Sequence, residues 1–164
     1  MPDPVMNLVE QHNQVRRLFK QVPQVGAHQS AEHRALAICD LLTIHSRLEE
    51  EIVYPAIENV DAAMAKEAEE AHERIDALID NIRNAEYADN GEVKSDLESL
   101  DQEVEAHVQW EEATLLPRVS ALPAEEQERI WRAMYARQQE LLQEHSEALS
   151  TSAETEGFIA APRI

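Results

Sequence analysis

Apolar residues recur at steps of three and four along this chain, the period at which a helix buries one face. Val5, Leu8, His12, Val15, Phe19 and Val22 form the first stripe, and Asp3-Pro4 ahead of it supplies a capping acid and a proline suited to the first helical position. Pro23 to Ser30, with Gly26 inside, breaks the stripe and reads as a loop. A second helix is predicted from about Ser30 to the Pro55 region, with Ile38, Leu41, Leu42, His45, Leu48, Glu49 and Ile52 inward; Pro55, which lacks a backbone donor, weakens its end. Asp61 is the cap expected for a third helix, whose inward face is Ala65, Ala68, His72, Ile75, Ile79 and Ile82. Its alanine-rich first half lets neighbouring helices come close. Asp89-Asn90-Gly91 is a turn signal, and after it Val93, Leu97, Leu100, Val104, His107, Glu111 and Leu115 trace a fourth helix ending near Pro117. Beyond Leu122-Pro123 a fifth amphipathic helix carries Ile130, Met134, Leu141, His145 and Leu149, and the aperiodic residues after it predict a mobile tail over 151–164.

Composition makes the chain all-α. Its 164 residues include only three Gly and 4% aromatics, and they are rich in Ala, Leu, Glu and Gln, which favour helices over strands. The length fits one domain with a sizeable core. Against 33 acidic residues stand 14 basic ones, and the net charge of -19 repels phosphate backbones and anionic lipid headgroups. Nucleic acid and membrane are therefore not expected as partners. The single Cys39 excludes an internal disulfide, and no stretch is apolar for long enough to span a bilayer or to read as a secretion signal. A cytoplasmic location and a monomer or weak homodimer are the expectations.

The inward faces carry residues that a plain core has no use for. HSRLEEEIVYP, from His45 to Pro55, recurs as HVQWEEATLLP from His107 to Pro117, with histidine, first glutamate and proline each offset by 62 positions. Such register marks an internal duplication. Positions four apart on a helix lie roughly 40° around and about 6 Å along the axis, so His45 shares a face with Glu49 and His107 with Glu111. One helix upstream of each copy stands a lone histidine, His12 or His72. Imidazoles and carboxylates converging in a helical core are metal chemistry. The candidate metal ligands are His12, His45, Glu49, His72, His107 and Glu111.

Blander readings compete at each position. A lone histidine on an apolar stripe is more often a core residue, and only the duplicated geometry turns His12 and His72 into candidates. Glu50 and Glu112, adjacent to the chosen glutamates, are read as solvated, with a supporting contact behind the ligands as the second reading. His28 and His33 read as surface residues, His145 as a core or interface histidine, Cys39 as a small buried hydrophobe and Trp110 as packing between helices. Tyr54 stays open between an iron ligand or a supporting contact behind the ligands, and simple packing. On a straight helix it points about 180° away from His45, and only a kink before Pro55 brings it round.

The pattern His12, His45-x-x-x-Glu49, His72, His107-x-x-x-Glu111 resembles the hemerythrin-like family, the HHE cation-binding proteins, over roughly residues 5 to 119. The resemblance implies an antiparallel up-down four-helix bundle over 1–119, with the fifth helix, 120–150, packed on the bundle or at an interface. It also implies two iron ions as an oxo-bridged di-iron centre held by the six residues. Oxygen-carrying hemerythrins have a fifth histidine in a His-x-x-x-His pair, which this chain lacks. With both glutamates bridging, each iron is then left one open position, which suits a substrate approaching the metals.

The function expected from this resemblance is reaction with hydrogen peroxide or O2, with catalase-like peroxide disproportionation foremost. Tyr54 is the candidate catalytic residue. Reversible binding of O2 or nitric oxide, and iron buffering, are the alternatives. A structural zinc site is disfavoured, because such sites are closed and usually rich in thiolates.

Overall fold

The computed structural model describes residues 3–26 and 30–151 of the chain. Among them run five helices: α1 (Pro4–Gln21), α2 (31–58), α3 (Ala62–Asn84), α4 (90–120) and α5 (Ala124–Thr151). A 3₁₀ turn at Val22–Gln24 closes α1. The expected caps are in place: Asp3 Oδ1 accepts from the Val5 amide at 2.9 Å, Asp61 from Met64 at 3.0 Å and Asp89 from Gly91 at 2.7 Å. Short connections force neighbouring helices antiparallel, so α1 to α4 form an up-down four-helix bundle. The fifth helix packs across α1 and α2. The tail predicted over 151–164 lies outside the described residues, apart from Thr151 at the end of α5, and so does His28.

The two prolines do not end their helices. Both α2 and α4 pass through a five-residue π turn, Glu49–Val53 and Glu111–Leu115, and then resume as α-helix to Glu58 and Ser120. In each the amide after the turn, Tyr54 or Leu116, donates to the carbonyl five residues back, at Glu49 or Glu111. Pro55 and Pro117 then fall in the first turn of the resumed α segment, where a missing N–H is tolerated. The wide turn sets the following residues back by roughly 100°, the step of one residue. Hence Val53 and Tyr54 are buried, while Ile52, expected inward, is only half-buried.

Apolar side chains gather in two clusters. One, with Phe19, Ile38, Ile79 and Leu97, fills the end of the bundle near the 3₁₀ turn. The other, with Leu8, Tyr54, Ile57 and Leu116, is completed from outside by Ile130 and Met134 of α5. The candidate ligands lie between them. Because Ile130 is fully buried, Ile130→Ala is expected to cost about 2–5 kcal/mol in chemical denaturation. Val60→Ala, at a side chain 61% exposed, is expected to stay within ~0.5 kcal/mol.

Candidate metal centre

Each of the four bundle helices brings residues to one level of the core. His12 comes from α1, His45 and Glu49 from α2, His72 from α3, His107 and Glu111 from α4, and none is more than 6% exposed. Their donor atoms form two groups that share both carboxylates: His12, His45, Glu49 and Glu111, and His72, His107, Glu49 and Glu111. Within each group one ligand atom per residue lies within 4.8 Å of every other. The lone histidines therefore join the same constellation as the repeated pairs.

A fit to a cation is testable on the atoms themselves. His12 Nε2 lies 3.3 Å from Glu111 Oε2, and His45 Nε2 lies 3.2 Å from Glu49 Oε2. Among the described residues neither nitrogen makes a hydrogen bond, nor do Glu49 Oε1 and Glu111 Oε2. Buried polar atoms are ordinarily paired. Here they crowd together without hydrogen-bond geometry, an arrangement that a cation between them would satisfy. The second group is arranged differently, because the Tyr54 hydroxyl stands among its atoms. That oxygen is 2.8 Å from Glu111 Oε1, 3.2 Å from Glu49 Oε2, 2.9 Å from His72 Nε2 and 3.4 Å from His107 Nε2. The π turn thus supplies the rotation that a straight helix denies Tyr54, and Tyr54 is a member of the cluster rather than a remote packing residue.

Electrostatics follow from burial opposed by close charge. Burial alone raises a carboxyl pKa, yet His45 and His72 outweigh it and hold Glu49 well below the usual range. Burial likewise works against a charged His72, but Glu49 and Glu50 lift it to about 10. His12 is raised against burial by Glu111 and Glu49. At His107 burial prevails and the ring is shifted down. Burial, with Glu49 and Glu111 nearby, pushes the Tyr54 phenol well above its usual value. Two imidazoles are thus biased to carry protons that balance the carboxylates, and a cation between the same atoms takes over that balancing charge.

For the doubled glutamates the second reading holds. Glu50 and Glu112 are not simply solvated: Glu50 Oε1 takes the Nδ1 side of His72 at 2.7 Å, and Glu112 Oε1 that of His12 at 3.1 Å. Each half of the chain thereby braces the lone histidine of the other. Gln11 Oε1 does the same for His45 at 2.8 Å. An acceptor on Nδ1 fixes the tautomer that turns the Nε2 lone pair towards the cluster. The sequence signal for the glutamates was the Glu-Glu doublet repeated in register; Gln11 had none. Trp110 stacks on the His107 ring, 6.2 Å between centroids. His145 is half-buried, 3.5 Å from Asp40, and His33 is exposed. Cys39 is buried, which pushes its thiol up to about 11.

A small cavity adjoins the four imidazoles and is otherwise lined by Val15, Leu42, Ser46, Ile75, Val104 and Val108. Most of these belong to the first apolar cluster, whereas Tyr54 belongs to the second. The phenol and the cavity therefore flank the cluster from opposite ends.

A helical bundle with a buried centre of shared carboxylates and imidazoles defines a class of cation-binding protein. The profile of the hemerythrin HHE cation-binding domain family matches residues 3–119, and the chain belongs to that family. No curated protein matches it. Among solved structures it is similar to a hemerythrin HHE cation-binding domain-containing protein from Mycobacterium kansasii, 20% identical, with a TM-score of 0.78 over 94% of this chain and 96% of that one. That likeness shows the fold. Among the described residues no helix is long and apolar enough to cross a membrane.

Stripping bound cations with a chelator at neutral pH is expected to lower the melting temperature, and adding metal back to restore it. An unchanged melting temperature would mean that the imidazoles alone suffice to balance Glu49 and Glu111.

Proposed function

We propose that this protein holds two iron ions and disproportionates hydrogen peroxide. The observation that carries the reading is the pair of overlapping His₂Glu₂ groups, fully buried and sharing Glu49 and Glu111. Imidazole with carboxylate is a donor set for iron, and thiolate is absent from it. His12 and His45 would hold one ion and His72 and His107 the other, with Glu49 and Glu111 common to both groups and the Tyr54 hydroxyl beside the second. An iron pair so held supplies the two-electron redox change that turns two peroxides into two waters and O2, and its carboxylate donors favour the ferric state in which peroxide is met.

The chain's own residues select and orient. Apart from the four imidazoles and Ser46 the cavity is walled by apolar side chains, which suits a small molecule. The Tyr54 hydroxyl lies 3.2 Å from Glu49 and 2.8 Å from Glu111, so its single proton can be given to either carboxylate. Glu50, Glu112 and Gln11 keep the outer protons of three histidines away from the reacting side.

The test is oxygen evolution from hydrogen peroxide by the iron-loaded protein at an oxygen electrode, with metal content measured on the same sample. We expect about two irons per chain, turnover abolished in His107→Ala, and no reversible uptake of O2 by the reduced protein. Uptake that is reversed under vacuum, without peroxide turnover, makes the protein a carrier or sensor of O2 or nitric oxide instead. Metal bound without either behaviour makes it an iron buffer.

Tyr54→Phe is expected to abolish a visible tyrosinate-to-iron band while the far-ultraviolet circular dichroism stays unchanged. An identical absorption spectrum in the two proteins would restrict Tyr54 to orienting the carboxylates. Glu49→Gln is expected to lose more iron than Glu50→Gln, whose amide oxygen still accepts from His72 Nδ1.

A further inference from the structure

We propose that the two cation positions are unequal and fill in order, the His12–His45 position first, because Gln11 and Glu112 brace both of its histidines whereas Ala71 leaves His107 without an acceptor. This rests on the reading that both groups bind metal.

The helices carrying the lone histidines correspond with an offset of 60, His12 to His72. On that register Gln11 corresponds to Ala71 and Arg16 to Asp76. The bundle repeats its ligands but not their supports. In the first position His45 Nδ1 is 2.8 Å from Gln11 Oε1, and His12 Nδ1 is 3.1 Å from Glu112 Oε1. Glu112 is itself pinned by Arg16 at 3.0 Å, and Arg16 also donates to Glu105 at 2.9 Å. In the second position Glu50 braces His72 at 2.7 Å, but the counterpart of Arg16 is an acid, Asp76, whose carboxyl is raised by burial and by the charge of Glu50. His107 Nδ1, also buried, has no hydrogen-bond partner among the described residues. Trp110, stacked over its ring, offers an N–H donor and no acceptor.

A histidine binds metal through Nε2 only when its proton sits on Nδ1. At His45 that proton has an acceptor waiting. At His107 it is forced into a buried position without one, so the ligating tautomer is disfavoured. Entry differs as well. Among the described residues the facing nitrogens of His12 and His45 make no hydrogen bond, while a cation entering the second group must displace the Tyr54 hydroxyl from its contacts with Glu49, Glu111 and His72. Both differences point the same way.

The experiment is an anaerobic titration of the metal-free full chain with cobalt(II), followed by calorimetry and visible absorption. Wild type is expected to bind two equivalents in steps separated by about 10–100-fold in Kd, the range over which such outer contacts act. His107→Ala should keep the tight first equivalent and His45→Ala should lose it. Gln11→Ala should weaken the first step by roughly tenfold or more at an unchanged melting temperature of the metal-free chain, with Gln11→Glu, which restores an acceptor, recovering it. Ala71→Gln should draw the second step towards the first. Two indistinguishable steps in wild type, a first equivalent that survives His45→Ala but not His107→Ala, or a first step indifferent to Gln11→Ala overturns the proposal. If Ala71→Gln does not fold, those three comparisons still decide it. No cobalt binding at all overturns the metal-centre reading together with it.

Discussion

Two carboxylates with no solvent exposure, Glu49 and Glu111, sit at the middle of a helical bundle whose other core positions, four imidazoles, Ser46 and the Tyr54 hydroxyl apart, are apolar. Burying an ionised carboxylate unpaired costs on the order of several kcal/mol, so every helix around the pair is committed to compensating it. Four imidazoles from four helices face the two acids, and this fixes how far each helix is rotated and how high it stands. Ala65, Ala68 and Ala71 on α3 let the backbones close to that distance. Apolar packing at either end then follows from a geometry that charge has already set.

The π turns are the backbone's part in the same arrangement. A straight α-helix brings His45 and Glu49 to one face and sends Tyr54 to the opposite one. The extra residue taken up at Glu49–Val53 leaves the first pair in place and swings Tyr54 inward, to within 2.8 Å of Glu111. The same turn at Glu111–Leu115 brings in Leu116, a buried hydrophobe that extends the second apolar cluster. One backbone device, used twice, so delivers a hydrogen-bonding group to one side of the centre and only bulk to the other.

This explains which parts of the molecule were legible in the sequence. Periodicity located all five helices and most of the core, since burial on one face is what the period encodes, and the duplicated His-x-x-x-Glu spacing picked out the six residues that converge. The π turns were not legible, because a five-residue turn leaves no compositional mark and the prolines after it look like helix ends. The partners of Glu50 and Glu112 were hidden for another reason: each glutamate reaches a histidine on a helix from the other half of the chain. Sequence spacing reports contacts along one helix, while contacts between helices depend on rotation and height that only the assembled bundle defines.

A duplicated frame need not produce a symmetric site. The residues that touch both halves alike, the histidines and the first glutamate of each doublet, are identical in type, and their register holds the bundle together. The positions just behind them differ: Gln11 against Ala71, Arg16 against Asp76, Tyr54 against Leu116. Gln11 and Arg16 stand outside the carboxylates and reach the centre only through His45 Nδ1 and Glu112, so they bear on the tautomer and surroundings of individual donors. Tyr54 is buried against both carboxylates and in the second apolar cluster, and it bears on packing as well. Symmetry is therefore retained where the buried charge must be balanced and relaxed one layer out.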